Sequence, residues 1–317
     1  MSEAGASSRG SACGKVILLG EHAVVHGSPA LAAGIDRGAR AEVTRRPDGS
    51  PSLLHLGHDA IPADPTSSDA RARAFAALLA EGAPVPPIEA NASSDLPQGG
   101  GLGSSSALGV AIARAVEALL DPSATPPSSA VLARATAWDK VFHGNPSGVD
   151  IAAAAHGGCL RFSRKEGIRP LRLRRPLDLC IGWSGSPSST REMVENVARL
   201  LERKPDLVET AIGGVTSLVE NAVLAVEAGD LRGLGKLMDL NQMILAGLML
   251  STEGIEALCA GARDAGALGA KLTGGGGGGS VIALVESPEA ASPVLAAWTE
   301  AGYSGFSTRI STPEPAR

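Results

Sequence analysis

Aromatic side chains make up only 3% of this 317-residue chain. A core organised around stacked rings is therefore excluded, and Ala, Val, Leu and Ile packed through close backbone contact must take its place. Cysteine is scarce too. Cys13, Cys159, Cys180 and Cys259 stand far apart, without a CxxC pair or metal-ligand spacing. That argues against a disulfide framework or zinc centre and for buried free thiols. There is no basic excess: the formal net charge is −5 and no Lys/Arg run is interleaved with aromatics. The electrostatic footprint of a nucleic-acid binder is thus missing. The opening MSEAGASSRGSACG carries Glu3 and has no apolar centre, unlike a secretory leader, and no apolar stretch approaches membrane-spanning length. The expectation is a cytoplasmic protein with neither nucleic acid nor membrane as partner.

Glycine, by contrast, is abundant, and much of it falls in three segments: GKVILLGEHAVVHG from Gly14, LPQGGGLGSSSA from Leu96 and KLTGGGGGGS from Lys271. Residues without a Cβ let backbone N–H groups approach an anion, and a helix starting directly afterwards adds its positive end. Three such segments point to phosphate handling. The second suits this best, because Leu108, Ile112, Ala115, Val116 and Leu119 recur at helical spacing after it. Ser104 to Ser106 then occupy the first helical turn, where N–H groups lack intrahelical partners.

The remaining pattern predicts an α+β fold. Strands are expected at Cys13–Leu19, Ala39–Thr44, Ile88–Ala92, Leu177–Ser184, Ala267–Thr273, Val281–Val285 and Tyr303–Ile310. Gly20–Ser28 reads as a functional loop, residues 57 to 69 as a plain one, and Asp121–Ser129 as a linker between helices. HGNPSGVD, from His143, reads as a turn entering a helix, and long amphipathic helices are expected up to Gly266. A composition shift after the basic stretch Arg161–Arg175 places a domain boundary near residue 175, dividing the chain into 1–175 and 176–317.

Several phosphate and catalytic motifs are ruled out by context. No Lys stands where a Walker A segment requires it, and the run Gly274–Gly279 leads into strand-like VIALV instead of the helix a dinucleotide fingerprint needs. HExxH, GxSxG and HRD patterns do not occur.

Taken in order, the three segments resemble those of the GHMP kinases, which include galactokinases, homoserine kinases, mevalonate kinases and phosphomevalonate kinases. Lys15, Glu21 and His22 in the first segment, with HGNPSGVD ending at Asp150, look like the mevalonate-kinase branch. The resemblance implies a two-domain fold: an N-terminal sheet-and-helix domain with the ATP loop, and a C-terminal ferredoxin-like α+β domain. It implies transfer of the γ-phosphoryl of ATP, with Mg2+, to the 5-hydroxyl of mevalonate. A mevalonate 3-kinase, a phosphomevalonate kinase, a diphosphomevalonate decarboxylase and a catalytically silent sensor remain alternatives. Family members are often dimers, so a homodimer is a further implied expectation.

The same resemblance distributes roles. Ser94 and the loop Gly99, Gly100, Gly101, Leu102, Gly103, Ser104, Ser105 and Ser106 are expected to bind ATP. Ser105 and Asp139 are expected to hold Mg2+, with Asp139 standing where the family commonly has Glu, one methylene longer. Asp150 is expected to act as general base and Lys15 to stabilise the transferring phosphoryl group. Glu21 (organising Lys15), His22, Thr190, Arg191, Gly275 and Gly276 are expected on the substrate side. Arg191 offers the paired donors a carboxylate needs, although a surface arginine explains it equally well. The family usually has Ala where Gly275 stands, and the change is read as added flexibility.

Overall fold

The structure is a computed structural model that describes residues 7–123, 129–144 and 146–312. Most of the expected 121–129 linker, and Asn145 of the HGNPSGVD turn, lie outside the described residues. The chain forms two compact units, neither a contiguous segment: residues 7–14, 37–96 and 103–156 in the first, and 15–36, 97–102 and 157–312 in the second. Two long strands, β1 (Ser7–Leu19) and β2 (Ala30–Arg45), contribute residues to both.

In the first unit, Ala39–Arg45 of β2 pairs antiparallel with β5 (Ile88–Ser94). Strand β3 (Leu53–Leu56) runs parallel to β5 and antiparallel to β4 (Asp59–Pro62). The latter strand falls inside the loop expected over 57–69. Four residues are too few to show alternation in sequence, but Leu54 and Ile61 pair across the hairpin and both are buried.

Helices α1 (Ala70–Ala80), α2 (Ser104–Leu120), α3 (Ser129–His143) and α4 (Val149–His156) complete the unit. Asp69 caps α1 by accepting the Arg71 N–H at 2.8 Å. Its other end is closed by Arg134 of α3. That guanidinium is 1% exposed, donates to the carbonyls of Leu78 at 3.0 Å and Ala83 at 2.8 Å, and pairs with Glu117 of α2. A buried charge is thereby satisfied by the carbonyls a helix terminus leaves open.

In the second unit, Ala30–Ala33 of β2 pairs with β6 (Cys159–Ser163), which forms a hairpin with β7 (Gly167–Leu171). Both strands lie in the basic stretch that the sequence gives only as a composition shift. A separate sheet follows, built from β8 (Leu177–Trp183), β9 (Gly269–Thr273), β10 (Ser280–Val285) and β11 (Ser304–Ile310). Its order is β11-β8-β10-β9 with antiparallel neighbours. That is the expected ferredoxin-like order, with α5 (Thr190–Arg203), α6 (Pro205–Ala228), α7 (Leu231–Gly247) and α8 (Glu253–Asp264) inserted between β8 and β9. Helix α9 (Ala291–Glu300) joins β10 to β11. The core between sheet and helices is aliphatic, as the shortage of aromatics requires. Trp298 is the one aromatic side chain fully buried in it, and its indole N–H donates to Leu258 O at 2.8 Å.

Two expectations need amendment. Helix α6 is long and apolar enough, by length and composition, to cross a membrane. It is an amphipathic helix of this unit: Val208, Val215, Val219, Ala222, Val223 and Val226 are buried, while Leu207 and Leu224 are exposed. The expected buried free thiols are seen at Cys159, Cys180 and Cys259, where burial pushes each pKa up to about 12. Cys13 is only partly buried.

Candidate active site

The expected site residues fall into one group within each unit. In the first, Gly103 ends the second glycine segment as the N-cap of α2, with φ 75, and has no side chain to offer the first-turn N–H groups. No acidic residue occupies that turn. The positive end of α2 is thus left to an outside anion. The Ser104 hydroxyl donates to Ser94 Oγ at 3.2 Å. The Trp138 indole N–H lies 3.0 Å from Ser105 O and 3.3 Å from Ser105 Oγ. Ser106, 1% exposed, donates its hydroxyl to Asp139 Oδ1 at 2.8 Å, and His143 Nε2 lies 3.7 Å from the same oxygen. Asp139 is itself 1% exposed. Asp150 stands in the first turn of α4, half-buried, where its negative charge suits the helix dipole.

The donor set around Asp139 suits a magnesium ion. Serine hydroxyls and a carboxylate are hard oxygens, and a residue set this small leaves room for the waters and phosphate oxygens that Mg2+ keeps. Among the described residues there is no cluster of three His, Cys, Asp or Glu that would hold a metal unaided.

The second unit brings together the first segment from Lys15 onward, part of the second and all of the third. Lys15, buried on β1, donates its backbone N–H to Leu102 O at 2.8 Å. Gly101 and Gly274 meet backbone to backbone: a Cβ on Gly101 would lie 3.0 Å from Thr273 O, and one on Gly274 would lie 3.1 Å from Gly101 O. Thr273 Oγ1 in turn accepts the Ile17 N–H at 2.8 Å, so β9 is tied to β1 beside Lys15.

Beyond β1 the chain turns sharply at Gly20 and His22, which has the rare positive φ of 59 for a residue with a side chain. His22 Nε2 lies 2.8 Å from Gly275 O. A carbonyl only accepts, so Nε2 carries the proton. Burial pushes the His22 pKa down to about 4, leaving the ring neutral with Nδ1 as an acceptor. Gly275 and Gly276 also meet the start of α5. Ser188 donates to Gly276 O at 2.6 Å, and a Cβ on Gly275 would stand 2.9 Å from Thr190 Cα and 3.3 Å from Ser188 Oγ. His22, Gly275, Gly276 and Thr190 are therefore neighbours, while Arg191 is exposed at the first turn of α5.

Glu21 has a partner to which the sequence did not point. Its carboxylate, 1% exposed, pairs with the ammonium of Lys271, and the charge of Lys15 is a smaller influence on it. Asn241 of α7 donates to the other carboxylate oxygen at 3.2 Å. Lys271, Asn241 and Ser188 were not singled out from sequence. Lys271 carried a signal, as the one charge in GAKLT, a strand buried at every position. Asn241 and Ser188 carried none.

The family models for the GHMP kinases N terminal domain and the GHMP kinases C terminal match residues 70–158 and 222–304. The chain belongs to the GHMP kinases. Within that family it is 33% identical to a mevalonate kinase of Thermococcus sibiricus, over 95% of both chains. It is 36% identical to one of Aeropyrum pernix, over 89% of this chain and 90% of the relative. The crystal structure of L. major mevalonate kinase in complex with R-mevalonate superposes with a TM-score of 0.82 at 28% identity, covering 98% of this chain and 97% of that one.

Proposed function

We propose that this chain transfers the γ-phosphoryl group of ATP to the 5-hydroxyl of mevalonate, with Mg2+. The observation that carries this reading is the start of α2, whose N–H groups no side chain caps, whose first turn bears Ser105 and Ser106, and whose Ser106 hydroxyl is bonded to Asp139 of α3. Such an arrangement holds a triphosphate and its cation. The likeness of the whole chain to mevalonate kinases supports the choice of acceptor.

In this reading Ser105 and Asp139 would hold Mg2+, which would neutralise charge on the phosphate oxygens. The amides of Gly99–Gly103 and the first turn of α2 take up the triphosphate, and Ser94 lies on its nucleoside side. Asp150 accepts the proton of the acceptor hydroxyl as its oxygen bonds to phosphorus. The bond to ADP breaks in the same transfer, and Lys15 stabilises the spreading negative charge. His22, Thr190, Gly275 and Gly276 border the acceptor, and Arg191 meets its carboxylate. A homodimer, a cytoplasmic location and a division of the two family domains near residue 175, drawn along the sequence and distinct from the two discontinuous compact units, are further parts of the proposal.

Release of ADP should be measured with mevalonate, phosphomevalonate, homoserine and galactose in turn. Turnover with mevalonate at least about a hundredfold above the others supports the assignment, whereas preference for another alcohol, or no turnover with any, refutes it.

A further inference from the structure

Lys271 is fully buried in the middle of β9, and nothing above gives it a part in the reaction. Its ammonium donates to Glu21 Oε1 and to the carbonyls of Leu272 and Ile17. Glu21 is held from the other side by Asn241, itself 0% exposed. A pair of ions taken wholly out of water is seldom the cheapest way to fill a core, since apolar residues of the same volume commonly do as well or better. Its position suggests what the pair does. Glu21 immediately precedes His22, and Glu21 and Lys271 both lie within the electrostatic reach of Lys15.

We propose that Lys271 is a positioning residue for phosphoryl transfer: acting through Glu21, it fixes the turn that carries His22 and balances the charge around Lys15. Lys271 from β9 and the Asn241 amide from α7 contact Glu21, and the charge of Lys15 from β1 also acts on it; the Cys259 thiol of α8 also acts on Lys271. Without Lys271, Glu21 becomes a buried carboxylate whose remaining counter-charge is Lys15. Desolvation already pushes the Glu21 pKa up, and Lys271 is the chief opposing influence. Its loss shifts the carboxyl further up and draws the transfer lysine toward it. This inference rests on the reading of Lys15 given above.

The test is a double-mutant cycle on kcat, with pH profiles from about pH 5.5 to 9, for the wild type, Lys271→Met, Glu21→Gln and the combined variant. Each single change is expected to lower kcat about tenfold or more, and the combined variant to stay within about threefold of either, because both act through one contact. Lys271→Met should also move the acid limb of the kcat profile up by about one pH unit or more, and Glu21→Gln should abolish that shift in the combined variant. Losses that multiply, an unmoved profile or wild-type turnover in folded Lys271→Met would overturn the proposal. If Lys271→Met does not fold, the combined variant, which leaves no buried carboxylate unpaired, decides the matter by the same comparison with Glu21→Gln. Failure of both to fold assigns the pair to stability alone and also overturns it. Lys15→Met separates the two readings: wild-type turnover there defeats the role of Lys15, whereas an inactive Lys15→Met with an unmoved Lys271→Met profile defeats only the role of Lys271.

Discussion

The Ser106 hydroxyl donates to Asp139 Oδ1 at 2.8 Å, between two side chains that are each 1% exposed. Asp139 is one methylene shorter than the glutamate the family commonly has, and the bond fixes its rotamer from the same helical turn that bears Ser105. Ser106→Ala should weaken metal binding about tenfold, and Asp139→Asn should weaken it further. Binding of Mn2+ to the enzyme–nucleotide complex, followed by electron paramagnetic resonance, measures both. Unchanged affinity in Asp139→Asn would remove it from the metal site. Unchanged affinity in Ser106→Ala alone would limit Ser106 to packing.

Gly275 calls for a different account from the one its sequence suggests. Its φ is not among the positive values, and the constraint is space: a Cβ would press on Thr190 Cα at 2.9 Å, which is backbone that cannot swing aside. Alanine, although usual in the family, should here push the start of α5 away. Gly275→Ala is expected to cost about 1–3 kcal/mol of stability and to raise KM for mevalonate more than KM for ATP. Thermal melting and steady-state kinetics check the two parts separately, and an unchanged melting temperature would show that the contact yields freely.

His22 predicts an acid-side loss of stability. Its pKa is pushed down from 6.5 to about 4 in the folded protein, chiefly by burial, so the unfolded chain takes up the proton first as pH falls. The stability associated with the neutral ring is intact above about pH 6.5. It declines toward pH 4 by up to about 1.4 kcal/mol per unit. Urea unfolding at stepped pH should show this slope in the wild type and a shallower one in His22→Asn. Equal slopes would contradict the burial argument.

Lys15→Met and Asp150→Asn should each reduce kcat at least about a hundredfold while nucleotide binding survives, as expected when only transition-state interactions are lost. Fluorescent-nucleotide titration alongside ADP release tests this. Near-normal turnover in either variant would remove that residue from the transfer step.

Much of this was legible in the sequence, for identifiable reasons. The glycine segments announced themselves because close backbone approach, as between Gly101 and Gly274, admits no side chain. The serines at the start of α2 could be placed because the apolar period after them is long. Short strands such as Asp59–Pro62 were not legible, since their alternation needs a partner to become visible. Nor was the partner of Glu21. Lys15 stands six residues away, but the carboxylate pairs with Lys271, 250 residues along the chain, and it is the packing of β9 beside β1, tied by Thr273 to Ile17, that brings that ammonium to it.

The most direct test of the account is the product itself. The purified protein should be incubated with ATP, Mg2+ and (R)-mevalonate, and the product analysed by phosphorus and carbon NMR. The account predicts one new phosphomonoester, coupled to carbon 5 of mevalonate, formed in step with ADP. A phosphoryl group on another oxygen, or ADP formed without any phosphorylated mevalonate, would contradict it.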